Sequence, residues 1–167
     1  MRPVNIRKAT TSDVGFAYAV AAARPERWLR VTHSGLPNPD AFWRTLVDRV
    51  EHLFVLEVGG SPIGLSSIFD VDKVAGVAWV DVVVIPGTDD STSLASQAIV
   101  EFIRDNLCGV RRLFSREAVF VESPFATFST QTCAAILRES LYHDGTFFDV
   151  RITTLDLESD ISIAPCG

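Results

Sequence analysis

The sequence predicts an α+β fold, a mixed sheet of six or seven mostly antiparallel strands with helices on both faces. Three observations carry this. The first apolar runs lie close together around Gly59-Gly60-Ser61-Pro62, as in a hairpin. The later runs are separated by helical stretches, which makes strand–helix–strand crossovers and parallel pairing. Between the two groups, Val77 to Ile85 is so rich in valine that both of its faces must be covered.

Val4-Asn5-Ile6-Arg7-Lys8 alternates apolar and polar residues like a half-buried strand. Thr10-Thr11-Ser12-Asp13 supplies N-cap residues for a helix over Val14–Ala23, which ends before Pro25. Residues 24–39 have no clean period and read as an irregular connection. Asn38-Pro39-Asp40 then opens a second helix with Phe42, Leu46, Val47 and Val50 on one stripe. Leu53–Val58 and Ile63–Phe69 form the hairpin, and Val77–Ile85 is the fourth strand. A polar loop from Pro86 to Ser93 leads into a third helix, where Leu94, Ala98 and Phe102 recur every four residues. Ala118–Val121 reads as a strand, and Thr130–Leu141 as a helix with Cys133, Leu137 and Leu141 inward. Gly145 breaks that helix, and Thr146–Leu157 is the last strand. The predicted order is β-α-α-β-β-β-α-β-α-β.

With 167 residues, 47% hydrophobic and 22% charged, the chain suits one domain. We expect that domain over 1–157, with a tail at 158–167. The absence of a long apolar run or signal-like N-terminus predicts a cytoplasmic protein with no membrane partner. A net charge of −6 sets nucleic acid aside as the main partner. The basic groups Arg24, Arg27, Arg30 and Arg111, Arg112, Arg116 read as solvated faces. Three cysteines without CxxC spacing and three scattered histidines predict neither a disulfide framework nor a metal site.

Several landmarks together resemble the Gcn5-related N-acetyltransferases over about residues 4–157. They are Ile6-Arg7-Lys8-Ala9-Thr10-Thr11-Ser12-Asp13, the Gly59-Gly60 hairpin, Val82-Val83-Val84-Ile85-Pro86, Leu94-Ala95-Ser96-Gln97-Ala98 and Leu141-Tyr142-His143-Asp144-Gly145-Thr146. The resemblance implies that the fourth and fifth strands splay apart. The pantetheine of acetyl-CoA or another acyl-CoA would then lie along Val82, Val83 and Val84. It also implies a pyrophosphate at the N-terminus of the third helix, against Ser91, Thr92, Ser93, Leu94 and Ala95. The family's Gln/Arg-x-x-Gly-x-Gly/Ala loop reads Asp90-Ser91-Thr92-Ser93-Leu94-Ala95 here, without glycine and with carboxylates at Asp89 and Asp90.

For catalysis, Asp81 on the fourth strand is the candidate general base, or else an exposed or salt-bridged residue. Leu137 falls where the family places an acidic tyrosine. Cys133 falls where some relatives use serine, as an auxiliary acid or as packing. An acceptor pocket is implied around Trp28, Trp43, Glu122 and Phe125. Three readings follow. One is an acyl-CoA-dependent N-acyltransferase, most simply an acetyltransferase, acting on a small-molecule or peptide amine. Another takes its donor from an acyl carrier protein docked on Arg111, Arg112 and Arg116. The third is a non-catalytic accessory protein of the same fold. A homodimer is compatible with each.

Overall fold

A computed structural model of the chain describes residues 3–27, 36–87, 90–143 and 145–158, without the side chains of Asp90 and His143. Trp28, Asp89 and all of the predicted tail except Glu158 lie outside the described residues. In chain order the elements are β1 (Val4–Lys8), α1 (Val14–Ala23), α2 (Pro39–Arg49), β2 (His52–Val58), β3 (Ser61–Asp72), β4 (Val77–Val84), α3 (Asp90–Asn106), β5 (Arg112–Ala118), β6 (Gln131–His143) and β7 (Thr146–Asp156). The strands form one seven-stranded sheet in the order β1-β2-β3-β4-β5-β7-β6, in which only β4 and β5 pair in parallel. No helix among the described residues is long and apolar enough to cross a membrane.

Local chemistry fixes the entry to α1. Asp13 accepts hydrogen bonds from the Thr10 amide at 2.8 Å and from Arg7 Nη1 and Nη2 at 2.9 and 2.8 Å. Arg7 Nε also donates to Glu57 at 2.7 Å, so one guanidinium ties β1, β2 and the start of α1 together. At α2, Asn38 Oδ1 accepts from the Ala41 amide at 3.0 Å and Pro39 fills the first turn, as the sequence predicts.

The helices cover opposite faces of the sheet. Ala17, Val20, Phe42 and Leu46 of α1 and α2 pack on Val55, Leu65 and Val83. On the other face, Ile99 and Ile103 of α3 pack on Leu56, Ile68, Val80 and Val82, with Leu113, Phe125 and Leu155 completing that core.

Two predicted elements differ. Thr130–Leu141 is not a helix: Gln131–His143 is strand β6, paired antiparallel with β7. The spacing of Cys133, Leu137 and Leu141 suits a helix, but a short apolar pattern leaves helix and strand unresolved, and pairing with β7 decides. The Asp144-Gly145 pair is itself a hairpin signal; Gly145 has φ 81°, and His143 pairs with Thr146. The strand expected at Ala118–Val121 lies earlier, at Arg112–Ala118, and only Ala118 is shared. Its inward positions include Ser115 and Glu117 beside Leu113, and those buried polar residues hid the alternation.

Candidate active site

The sheet opens at one seam. β4 and β5 pair only through Val77–Arg112, Ala78–Leu113 and Trp79–Phe114. Beyond Trp79 each strand stays with its antiparallel neighbour: β4 follows β3 to Val84, and β5 follows β7 to Ala118. Sheet twist then carries the two apart. Aromatic contacts hold the closed end, with Trp79 5.2 Å from Phe114 and 6.3 Å from Phe69 between ring centres.

The opening leads into a cleft of about 280 Å³. Its floor is Val82, Val83 and Val84, and Thr92 from the first turn of α3 stands at one end. One bank is Arg24, Glu26 and Arg27, from the segment that ends in the 3₁₀ turn Pro25–Arg27. The other is Phe120, Val121 and Glu122, after β5. An unpaired strand edge offers main-chain donors and acceptors in a row. The α3 N-terminus adds free amides and the positive end of the helix dipole. An extended amide-bearing chain ending in a phosphate fits this set of groups, and the phosphopantetheine arm of coenzyme A has that form.

Deeper in the gap, Arg27, Asp81, Ser115 and Glu117 help to line a cavity of about 10 Å³, the space of about one water molecule. Glu117 is 4% exposed and accepts from Ser115 Oγ at 2.6 Å and Thr153 Oγ1 at 3.4 Å. Arg27 Nη2 donates to the Glu122 main-chain oxygen at 2.9 Å, across the cleft. Burial pushes the Arg27 guanidinium below its usual pKa, while Glu117, Asp81 and Glu26 act in the opposite direction. Arg27 is therefore no solvated surface group. It and Glu117 are the site residues that the sequence reading missed; a carboxylate at an inward position of β5 was the available signal.

The predicted site residues divide. Val82, Val83, Val84, Thr92 and Glu122 meet at the cleft, and Asp81 lies just below it. Ser91 and Ser93 share the first turn of α3, where Ser93 Oγ bonds Thr127 Oγ1 at 3.3 Å, and Leu94 follows, half-buried. Ala95 is fully buried in the core. Trp43 is half-buried against the α1–α2 core, and Phe125 is fully buried beneath α3, so neither lines the cleft. Without a helix at 130–141, Leu137 does not occupy a helical tyrosine position. Cys133, an exposed free thiol on β6, lines a second cavity of about 400 Å³ on the far side of Phe120–Glu122. The Arg111 and Arg112 guanidiniums pair within the chain, with Glu158 at 3.8 Å and Asp156 at 3.3 Å.

No protein-family profile matches the chain, and no curated protein matches it in sequence. Solved structures do match. A spermidine N-acetyltransferase from Vibrio cholerae, in complex with coenzyme A and spermine, has TM-score 0.71 and 17% identity, covering 92% of this chain and 95% of that one. A ribosomal L7/L12 alpha-N-protein acetyltransferase in complex with coenzyme A has TM-score 0.71 and 12% identity, covering 95% and 96%. A ribosomal-protein-alanine N-acetyltransferase from Brucella melitensis has TM-score 0.70 and 16% identity, covering 91% and 99%.

Proposed function

We propose, from the premise that the fold is that of the Gcn5-related N-acetyltransferases, that the protein is an acyl-CoA-dependent N-acyltransferase acting on a small-molecule or peptide amine. The observation that carries this is the seam: among the described residues β4 pairs with β5 only through Val77–Trp79, and Val82–Val84 line a cleft beside the start of α3. Structures of this shape are described as N-acetyltransferases, two of them with coenzyme A bound.

Bound in the cleft, an acyl-CoA would supply the activated acyl group. The chain's own residues supply the rest. The β4 edge at Val82–Val84 aligns the donor through main-chain hydrogen bonds, and the first turn of α3, with Ser91, Thr92 and Ser93, meets its phosphates. Asp81 takes the proton that the acceptor ammonium must lose before its nitrogen can attack. Glu122 lines the cleft and gives that ammonium a carboxylate to approach. Cys133 lies in the other cavity, and this reading gives it no part in the reaction. Because Arg111 and Arg112 are paired within the chain, we do not assign them to a carrier protein.

Calorimetric titration with coenzyme A and thiol release from acetyl-CoA against a panel of amines test the reading. Asp81→Asn keeps the shape and removes the base, so turnover should fall about 10²–10⁴-fold while coenzyme A affinity holds. Absence of coenzyme A binding would refute the proposal, and full turnover by Asp81→Asn would remove the base assignment.

A further inference from the structure

The second cavity, of about 400 Å³, lies between the Phe120–Glu122 strip and the strands β6 and β7. That is room enough for a small organic molecule. Its walls are mixed: Phe120, 54% exposed, offers an aromatic surface, and Arg151 and Glu122 are the charged side chains that line it. Two polar side chains in these walls have unmet capacity. Arg151 Nε and Gln131 Oε1 are shielded from water and have no hydrogen-bond partner, so they do not bond each other. Folded proteins rarely leave such groups unmet, because each keeps its desolvation cost. One is a donor and the other an acceptor, and both side chains stand half-buried at the same cavity. Arg151 Nη2 donates to the Val121 oxygen at 2.6 Å, which fixes the guanidinium at the wall. The Thr153 and Ser123 hydroxyls are already engaged, with Glu117 and with the Phe125 amide.

We propose that this cavity binds an amino acid as its zwitterion: the carboxylate meets the Arg151 guanidinium, the ammonium meets Glu122 and the Gln131 amide oxygen, and an apolar side chain lies against Phe120. A simple anion leaves Gln131 Oε1 and Glu122 without a donor, and a simple amine leaves Arg151 without an acceptor. A molecule that carries both charges meets all three groups, and neither of its charges is enclosed unpaired. Phe120, Val121 and Glu122 also line the cleft over Val82–Val84, so the two sites share a wall. The binding site does not rest on the acyltransferase reading, and it is measured without coenzyme A or turnover.

Cys133, exposed on β6, lines the cavity and reports on it, while Cys108, exposed just past α3, lies outside it and serves as the internal control. Alkylation of each cysteine by iodoacetamide is followed by peptide mass spectrometry. The probes are L-phenylalanine, phenylethylamine, which lacks the carboxylate, and hydrocinnamate, which lacks the ammonium. L-Phenylalanine should slow alkylation of Cys133 severalfold and leave Cys108 unchanged. Each one-charge analogue should need about tenfold more for the same protection, the worth of one charge-assisted hydrogen bond. Arg151→Gln and Gln131→Leu should each raise the half-protecting concentration of L-phenylalanine about tenfold. Gln131→Leu removes an unmet polar atom, so it should melt no lower than the wild type, and it decides the matter if Arg151→Gln does not fold. No protection of Cys133, equal protection of Cys108, equal protection by either analogue, or undiminished protection in Gln131→Leu overturns the proposal.

Discussion

The two arms of the sheet meet at the β4–β5 seam and are held by different means. In β1–β4 every neighbour is antiparallel and helices lie on both faces; β3 is buried at every position from Ile63 to Phe69. In β5–β7 the hairpin β6–β7 runs out past the helices, leaving Ile136 51%, Tyr142 61% and Phe147 61% exposed. That hairpin satisfies its own backbone while burying little apolar surface. Its outer edge is interrupted by register shifts at Cys133/Ala135 and Leu137/Leu141 and by φ 44° at Glu139. There Arg138 pairs with Asp149 at 3.1 Å, and the Glu139 amide donates to Asp149 Oδ1 at 2.9 Å. Such irregularities keep an edge strand from pairing with another chain. The first arm presents the floor of the cleft, while the second arm supplies one of its banks. The charged residues gather where neither arm can complete the sheet.

The largest expected effect sets one arm against the other. Phe42 is fully buried and meets Tyr18 edge-on at 6.1 Å, so Phe42→Ala should cost about 3–5 kcal/mol in urea unfolding. Ile136→Thr, at an exposed position of β6, should stay within about 0.5 kcal/mol. Equal costs would break the comparison. Next comes Gly64 on β3, where a Cβ would run into the Val83 carbonyl oxygen and come within 3.0 Å of the Val84 Cα. Gly64→Ala should cost about 1–3 kcal/mol and disturb the cleft floor, weakening coenzyme A binding in calorimetry.

The smallest effect concerns the corner that anchors β1 to α1. Hydrogen bonds from Arg7 above all, with those from Thr10, hold Asp13 down from 3.8 to about 2, although burial opposes them. Because the folded value is the lower one, this stabilisation is present above about pH 4 and is lost as pH falls toward 2. Asp13→Asn should therefore cost about 1–2 kcal/mol at pH 7 and less at pH 2.5, as followed by urea titrations.

The sequence by itself determined the first arm. Period-two alternation in Val4–Lys8, the Asn38-Pro39 cap and the Gly59-Gly60 turn are local signals, each acting within a few residues, and each element lies where they place it. The valine run of β4 likewise announced a strand covered on both faces. Tertiary structure decided the second arm, where the spacing of Cys133, Leu137 and Leu141 suits a helix as well as a strand and only pairing with β7 selects between them. It also decided the seam. Val82–Val84 were legible as an apolar strand, but the three-residue pairing that frees their edge depends on β5 staying with β7. Arg27 read as a surface charge for the same reason: the carboxylates beside it are 54 and 90 positions away in the chain, and only folding brings them to one cavity.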